Sequence, residues 1–377
     1  MANRSAAPGL WSPPRTTAAP TCVIAGHGVM GRIQRDKLAV LGVRTVAVVD
    51  PGHAGTVLGP GLRVVASLDE VPAPRSVDLW SICTPTAAHA PVFRRIAQLA
   101  PYADVIVEKP VCLPDDVPEL GRLLEAHCGR VSVDEHYLSS VVPEAVADAV
   151  LSVPGATVTG VVVEMTKHRG PDNARGRFED RALGALGYEG PHLLGVLDAL
   201  GQRLGTSLAP ASPAVCRFDG PWGPDGSPPQ DGAEVSYRTA TGCEVVLRTS
   251  LVGRPRLRSQ PSIPYGSVRR HRVLEVRAVD RHGGVWRVTG AFAPTGLRDR
   301  DHGTVAVRCD GLPPAPPQVL YDDPLGRHLR RILRYFAGAG PDPAPARHCI
   351  GHVELLHQWV STARSAAAEH AGVRPAA

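Results

Sequence analysis

Apolar residues follow two rhythms along the chain. From Cys22 to Ala25, Thr45 to Asp50, Arg63 to Ala66, Val77 to Cys83, Asp104 to Glu108 and Val131 to Asp134 they form short, nearly unbroken runs that read as buried parallel strands. Helical spacing fills intervals between them: Arg32 to Leu41, an Ala-rich stretch from Ala87, and a segment reaching His127 whose start is favoured by Asp115 and Asp116. Strand alternating with helix predicts a doubly wound domain. From Pro143 the rhythm changes. A helix is expected over Glu144 to Leu151, a long β-branched strand over Thr157 to Met165, and a helix over Gly184 to Leu200 ended by Gly201. Strand-like runs then follow with few helices between them: Val215 to Phe218, Ala233 to Arg238, Cys243 to Leu251, Val273 to Val279, Val285 to Val288 and Thr304 to Arg308. They predict an α+β domain with a large, mostly antiparallel open-faced sheet. Helical patterns at Pro324 to Phe336 and Gly351 to Glu369 close the chain. The expected division is a disordered leader (1–20), a first domain (21–137), a second domain (138–345) and a C-terminal helix and tail (346–377).

Candidate chemistry sits at the strand ends. The first run stops at Gly26-His27-Gly28-Val29-Met30-Gly31, just before a helix. Gly26 allows a tight turn, Gly28 lets the backbone approach a pyrophosphate, and Gly31 lets helix and strand pack closely. The helix N-terminus then offers unpaired N–H groups to the phosphates. The next strand ends in Asp50, about twenty residues on, where a dinucleotide fold places the acid that binds the ribose hydroxyls. Such an acid repels a 2′-phosphate, so NAD is expected, with NADP left open by the nearby His53. Glu108-Lys109-Pro110 falls at a strand C-terminus, the ligand side of an open α/β sheet.

Composition narrows the class. A hydrophobic fraction of 43% and a charged fraction of 20% suit a globular enzyme. The net charge of +5 is modest and its arginines are scattered among acids, which argues against nucleic acid as partner. No apolar run is long enough to span a bilayer, and residues 1–20 lack an apolar signal core, so no membrane partner and a cytoplasmic location are expected. The eight cysteines contain no Cys-x-x-Cys pair and read as reduced and mostly buried, with no metal required. Arg254, Arg256, Arg258, Arg269, Arg270 and Arg272, interleaved with Pro and Ser, read as a solvated loop.

The glycine turn, Asp50, Cys83-Thr84-Pro85 with His89, and Glu108-Lys109-Pro110, in this order and spacing, resemble the glucose-fructose oxidoreductase/inositol dehydrogenase (Gfo/Idh/MocA) family. The resemblance implies a Rossmann domain followed by an open-sheet domain, NAD or NADP as cofactor, a sugar, sugar phosphate or cyclitol as substrate, and a homodimer or homotetramer. It assigns cofactor contacts to residues 26–31, Asp50, Thr84, Pro85, His89, Glu108 and Lys109. It gives Lys109 a catalytic or substrate-orienting role, with Pro110 in the cis form. The family's Asp-x-Gly-x-His motif corresponds here to Tyr188-Glu189-Gly190-Pro191-His192. His192 keeps the place of the acid/base, but Tyr188 replaces the Asp that would orient it. Tyr188 could instead act in catalysis by donating a hydrogen bond to the substrate oxygen, Glu189 could take up part of the acid's role in the substrate site, or His192 could be a structural cap at a helix start. Lys167 and Arg169 fall in a polar loop and are further substrate-binding candidates.

A second, local likeness concerns Asp134-Glu135-His136-Tyr137-Leu138, which is similar to a stretch of glucose-6-phosphate dehydrogenases that holds the sugar phosphate. His136 and Tyr137 carry over, whereas Ser140 stands where the phosphate-binding lysine should be. Arg169, Arg175 or Arg177 could replace that cation, or the segment could be a polar hinge. The leading expectation is a dehydrogenase or ketoreductase acting on CH–OH groups. The loss at Tyr188 keeps open a regulatory sensor that only binds dinucleotide, and elimination or hydrolysis assisted by transient oxidation is a further alternative.

Overall fold

The computed structural model describes residues 19–174, 180–257, 270–293 and 301–370. Arg175, Arg177, Arg258, Arg269 and nearly all of the leader lie outside them. The first layer runs β1 (Thr21–Ala25), α1 (Val29–Val40), β2 (Arg44–Val49), β3 (Val57–Gly59), β4 (Leu62–Val65), β5 (Leu79–Ile82), α2 (His89–Leu99), β6 (Asp104–Glu108), α3 (Val117–Ala126) and β7 (Val131–Asp134). Its sheet order is β3-β4-β2-β1-β5-β6-β7, parallel except for the short β3, which pairs antiparallel to β4. The order reverses between β2-β1 and β5, so a crevice opens outside the C-terminal ends of those strands. The apolar runs are there because these strands are covered on both faces: Val23, Ile24, Trp80, Ile82, Val105 and Ile106 are fully or almost fully buried.

The chain continues through α4 (Val141–Leu151), β8 (Thr157–Lys167), the short α5 (Gly170–Asn173), α6 (Ala185–Leu204), β9 (Val215–Asp219), β10 (Gly232–Arg238), β11 (Glu244–Ser250), β12 (Arg270–Val279), β13 (Val285–Phe292), β14 (His302–Cys309) and β15 (Gln318–Tyr321). It ends in α7 (Pro324–Phe336) and α8 (Ala346–His370). The second sheet has the order β15-β14-β13-β12-β8-β11-β10-β9, antiparallel except at the β8/β11 pair. Alternate residues Val161, Val163 and Met165 of β8 and Leu274, Val276 and Ala278 of β12 join α4 and α6 in one core. The opposite face carries charged residues, including the Arg248–Glu234–Arg256 ion pairs.

Several features depart from the pattern reading, beginning with the short strands β3 and β15, which it did not expect. Helix α6 passes Gly201 and stops at Leu204, with Gly205 taking the left-handed C-terminal position at φ 67°. Arg270 and Arg272 lie on β12 and not in a solvated loop; Arg272 is only 7% exposed. Helix α8 begins at Ala346, ahead of the expected start at Gly351, and both C-terminal helices enter the cores. Leu325, Leu329 and Ile332 of α7 pack against one face of the first sheet. The first half of α8 enters the core on the other face through Cys349, Ile350 and Val353, and its second half enters the other domain's core through Leu356, Trp359 and Val360. Helix α8 thus ties the two domains together. All eight cysteines are free, and only Cys128 is exposed. No described helix is long and apolar enough to cross a membrane.

Candidate active site

The glycine turn is built by close approach. Gly26 has φ 103°, and a Cβ there would stand 2.6 Å from the Cys83 carbonyl oxygen. A Cβ at Gly31 would stand 1.9 Å from the Gly26 carbonyl oxygen, so helix α1 can seat against β1 only with glycine there. At Gly28, the N-terminal cap of α1, a Cβ would meet nothing within 4 Å. Open space above a glycine at a helix N-terminus fits a dinucleotide's pyrophosphate. Arg32 on α1 donates to the His27 carbonyl at 2.9 Å and brings a cation to the same turn. Asp50, at the end of β2, accepts the His27 N–H at 2.7 Å and the Gly52 N–H at 2.9 Å, with His53 Nδ1 3.1 Å away. Burial alone would raise its pKa, but the hydrogen bonds from His27 and His53 win and hold it below the usual carboxylate range.

Opposite the turn, His89 is buried. Its Nε2 meets the Thr84 carbonyl at 2.9 Å and its Nδ1 the Pro110 carbonyl at 3.0 Å. It therefore straps the Thr84-Pro85 turn to the cis Lys109–Pro110 turn, acting through the backbone. Glu108 is also turned inward. Gln34 of α1 donates to Glu108 at 3.0 Å and to Asp134 at 2.6 Å. Burial raises the pKa of both carboxyls, and the Glu108 charge raises Asp134 further, so the pair retains a proton. These residues fix where Lys109 stands.

The two domains meet at Lys109. Its Nζ donates to the Tyr188 carbonyl of α6 at 2.7 Å. One turn further along α6, His192 Nδ1 lies 2.8 Å from Glu135 Oε1, and both side chains are buried. Glu135 follows β7 directly, so the carboxylate missing at position 188 is supplied from the other domain. His192 has an orienting partner after all, and it lies within α6, not at a helix start. Gly195 makes room for the pair: a Cβ there would stand 2.9 Å from Glu135 Cγ and Oε1. Burial pushes Glu135 up to about 8, against the pull of the Lys109 ammonium. Burial and then Lys109 drive His192 well below the usual imidazole range.

The remaining candidates surround this pair. His136 and Tyr137 stack edge-on to the His192 ring with centroids 4.7 and 4.9 Å away. Tyr188 accepts the Asp180 N–H on its hydroxyl at 2.9 Å, and the Arg169 guanidinium lies 3.7 Å from its ring centre. Tyr188 therefore packs where an orienting acid was expected, and Arg169 serves it. Lys167 pairs with Asp172 at 2.9 Å. Glu189 forms a two-oxygen bridge to Arg272 at 2.8 and 3.0 Å; burial would raise its pKa, but Arg272 and Lys109 hold it below the usual range. Arg272 and Arg270 both donate to the Tyr137 hydroxyl, Arg270 at 3.3 Å. Sequence reasoning gave no role to Glu135, Gly195, Arg270 or Arg272. The available signal was the alternation of Arg270 and Arg272 ahead of Val273-Leu274, and a glycine three residues after His192 on the same helix face.

This fold and turn define a dinucleotide-binding architecture. Residues 21–135 match the family model described as the oxidoreductase family, NAD-binding Rossmann fold (GFO_IDH_MocA). Residues 21–135 thus form an NAD-binding Rossmann domain of the Gfo/Idh/MocA kind. Solved structures extend the likeness to the second domain. The WlbA dehydrogenase from Chromobacterium violaceum, in complex with NADH and UDP-GlcNAcA, is 14% identical with TM-score 0.68, covering 95% of this chain and 97% of that one. The UDP-N-acetylglucosamine 3-dehydrogenase GnnA from Acidithiobacillus ferrooxidans is 16% identical with TM-score 0.58, covering 92% and 98%. GenD2 from gentamicin A biosynthesis, in complex with NAD, is 17% identical with TM-score 0.62, covering 94% and 97%. At such identities the likeness is one of fold. No curated protein matches the chain in sequence. The local likeness to glucose-6-phosphate dehydrogenase rests on its own residues alone.

Proposed function

We propose that the protein is an NAD-dependent oxidoreductase that moves a hydride between nicotinamide and a secondary alcohol or ketone of a sugar, sugar phosphate or cyclitol. The observation that carries this is the 2.8 Å Glu135–His192 pair beside Lys109, assembled from both domains at the mouth of the dinucleotide fold. Gly26 to Gly31 and Asp50 would hold the dinucleotide, which when bound supplies the hydride acceptor or donor. The Lys109 ammonium stabilises developing alkoxide charge on the substrate oxygen. Glu135 occupies His192 Nδ1 and leaves Nε2 for the substrate. With Glu135 near 8 and His192 far below its usual value, the pair holds one proton at neutral pH. Whichever side of the bond holds that proton, Nε2 then carries a hydrogen and can donate it to a carbonyl oxygen. Above about pH 8 the proton is lost, the remaining ring hydrogen sits on Nδ1 against the carboxylate, and Nε2 accepts a hydroxyl proton.

Among the described residues the cations Lys109, Arg270 and Arg272 gather around Glu189, and this positive cluster supports a substrate carrying a phosphate or carboxylate. The sugar-nucleotide substrates named for two of the structural neighbours agree with that class. The Glu135 pair also answers the loss at Tyr188 that favours a sensor without turnover. A panel of free, phosphorylated, acidic and nucleotide-linked sugars and cyclitols, read at the nicotinamide absorbance with NAD and NADP in parallel, tests the proposal. Turnover of an anionic polyol, faster with NAD, is expected. Dinucleotide binding with no absorbance change, and with no product by mass spectrometry, would favour the sensor. Product formed without net NADH would favour elimination or hydrolysis.

A further inference from the structure

We propose that Asp198, His348 and His352 form a binding site for a divalent transition cation of the zinc class, clamping α8 to α6 where the two domains meet. His348 and His352 are four residues apart on α8 and so share one face. Asp198 reaches them from α6, 150 residues earlier in the chain than His348. His348 Nε2 lies 2.6 Å and His352 Nε2 2.9 Å from the same atom, Asp198 Oδ2, and all three ligand atoms fall within 4.8 Å of one another. Convergence of two imidazole nitrogens and one carboxylate oxygen on a single point is how ligands gather around an ion.

A tetrahedral zinc ion with bonds of about 2.0–2.1 Å needs ligand atoms roughly 3.3 Å apart, which a slight opening of this cluster provides. Two imidazoles and a carboxylate suit zinc or cobalt better than the harder calcium or magnesium. His348 is 47% exposed in its side chain, so an ion can enter from solvent and water can complete the coordination. His352 is largely buried and also lines a small cavity with Lys109, Glu135, Pro191 and Cys349. An ion here would therefore hold α8 against the helix that carries His192. Nothing in the proposed hydride transfer requires it, so the two readings stand or fall separately.

The test uses the untagged full-length chain stripped with a chelator. Co²⁺ is titrated and followed by its visible ligand-field absorption, Zn²⁺ is added to displace it, and thermal unfolding is recorded with and without Zn²⁺. The expected result is one saturable equivalent per chain with the intense band of a tetrahedral site, a Zn²⁺-dependent rise in Tm, and loss of both in His348→Ala. Asp198→Asn, which keeps the shape of the side chain, should weaken binding while circular dichroism stays unchanged. Absence of saturable binding in the wild type, or binding unchanged in both variants, would overturn the site.

Discussion

The glycine turn of the first domain and the Glu135–His192 junction each hold chemical groups in fixed positions, by opposite routes. At the turn, six consecutive residues supply backbone N–H groups, a left-handed glycine and two close approaches that only glycine tolerates, one of them to the Cys83 carbonyl. At the junction, Lys109 follows β6, Glu135 follows β7, Glu189 and His192 come from α6 and Arg272 from β12, so the parts are spread over four elements. The first arrangement depends on the backbone and survives only as a fixed pattern. The second depends on side chains, so a group lost at one position can return from another element. Tyr188 and Glu135 illustrate this: position 188 carries no carboxylate, and the His192 imidazole meets one from the other domain.

Substitutions can break this comparison at graded cost. Lys109→Met removes the ammonium from the junction but leaves the turn intact; turnover should fall about 10³- to 10⁴-fold, with dinucleotide binding by fluorescence nearly unchanged. Gly31→Ala attacks the turn. A Cβ placed 1.9 Å from a carbonyl oxygen must displace α1, and denaturant unfolding should show a loss of roughly 3 kcal/mol. Gly28→Ala is its control: it meets no protein atom, so stability should hold while NAD affinity drops. Glu135→Gln should lower kcat by about 10²-fold without changing NAD affinity, because the imidazole keeps its hydrogen bond but loses the shared proton. Gly195→Ala, which crowds Glu135 from α6, should cost about 10-fold in kcat with the fold preserved, as a small misplacement of a catalytic group does.

A weaker effect concerns stability against pH. Glu135 is raised from 4.5 to about 8 in the folded chain, so the native state binds the extra proton between those values. Its contribution is complete below about pH 4.5 and is lost as pH climbs through about 8. Thermal unfolding should therefore show Tm falling from pH 6 to pH 8.5, with a shallower decline in Glu135→Gln.

How much of this was legible follows the same division. Strand positions, the glycine turn, Asp50 and Glu108-Lys109-Pro110 could be read because burial on both sheet faces and backbone close approach leave contiguous signatures. Positions of His192, His136 and Tyr137 were legible by motif. Glu135 was visible but had no assigned role, since nothing local reveals that β7 ends opposite α6. Arg270 and Arg272 were misread because their neighbours suggest a loop, whereas the strand that buries them is defined by pairing with β8. The ends of α6 and α8 moved because tertiary packing overrides a mid-helix glycine: Gly201 stays helical and Gly351 falls inside α8. His89 and Glu108 read as cofactor contacts, but both are turned into the protein, where they set the position of Lys109.

The most direct test of the central claim is the pH dependence of kcat/KM in the oxidative direction, measured for the wild type and Glu135→Gln with the substrate the panel identifies. The wild type should rise with pH through an apparent pKa near 8, and that limb should vanish in the variant. An identical limb in both proteins would show that Glu135 and His192 do not share the catalytic proton.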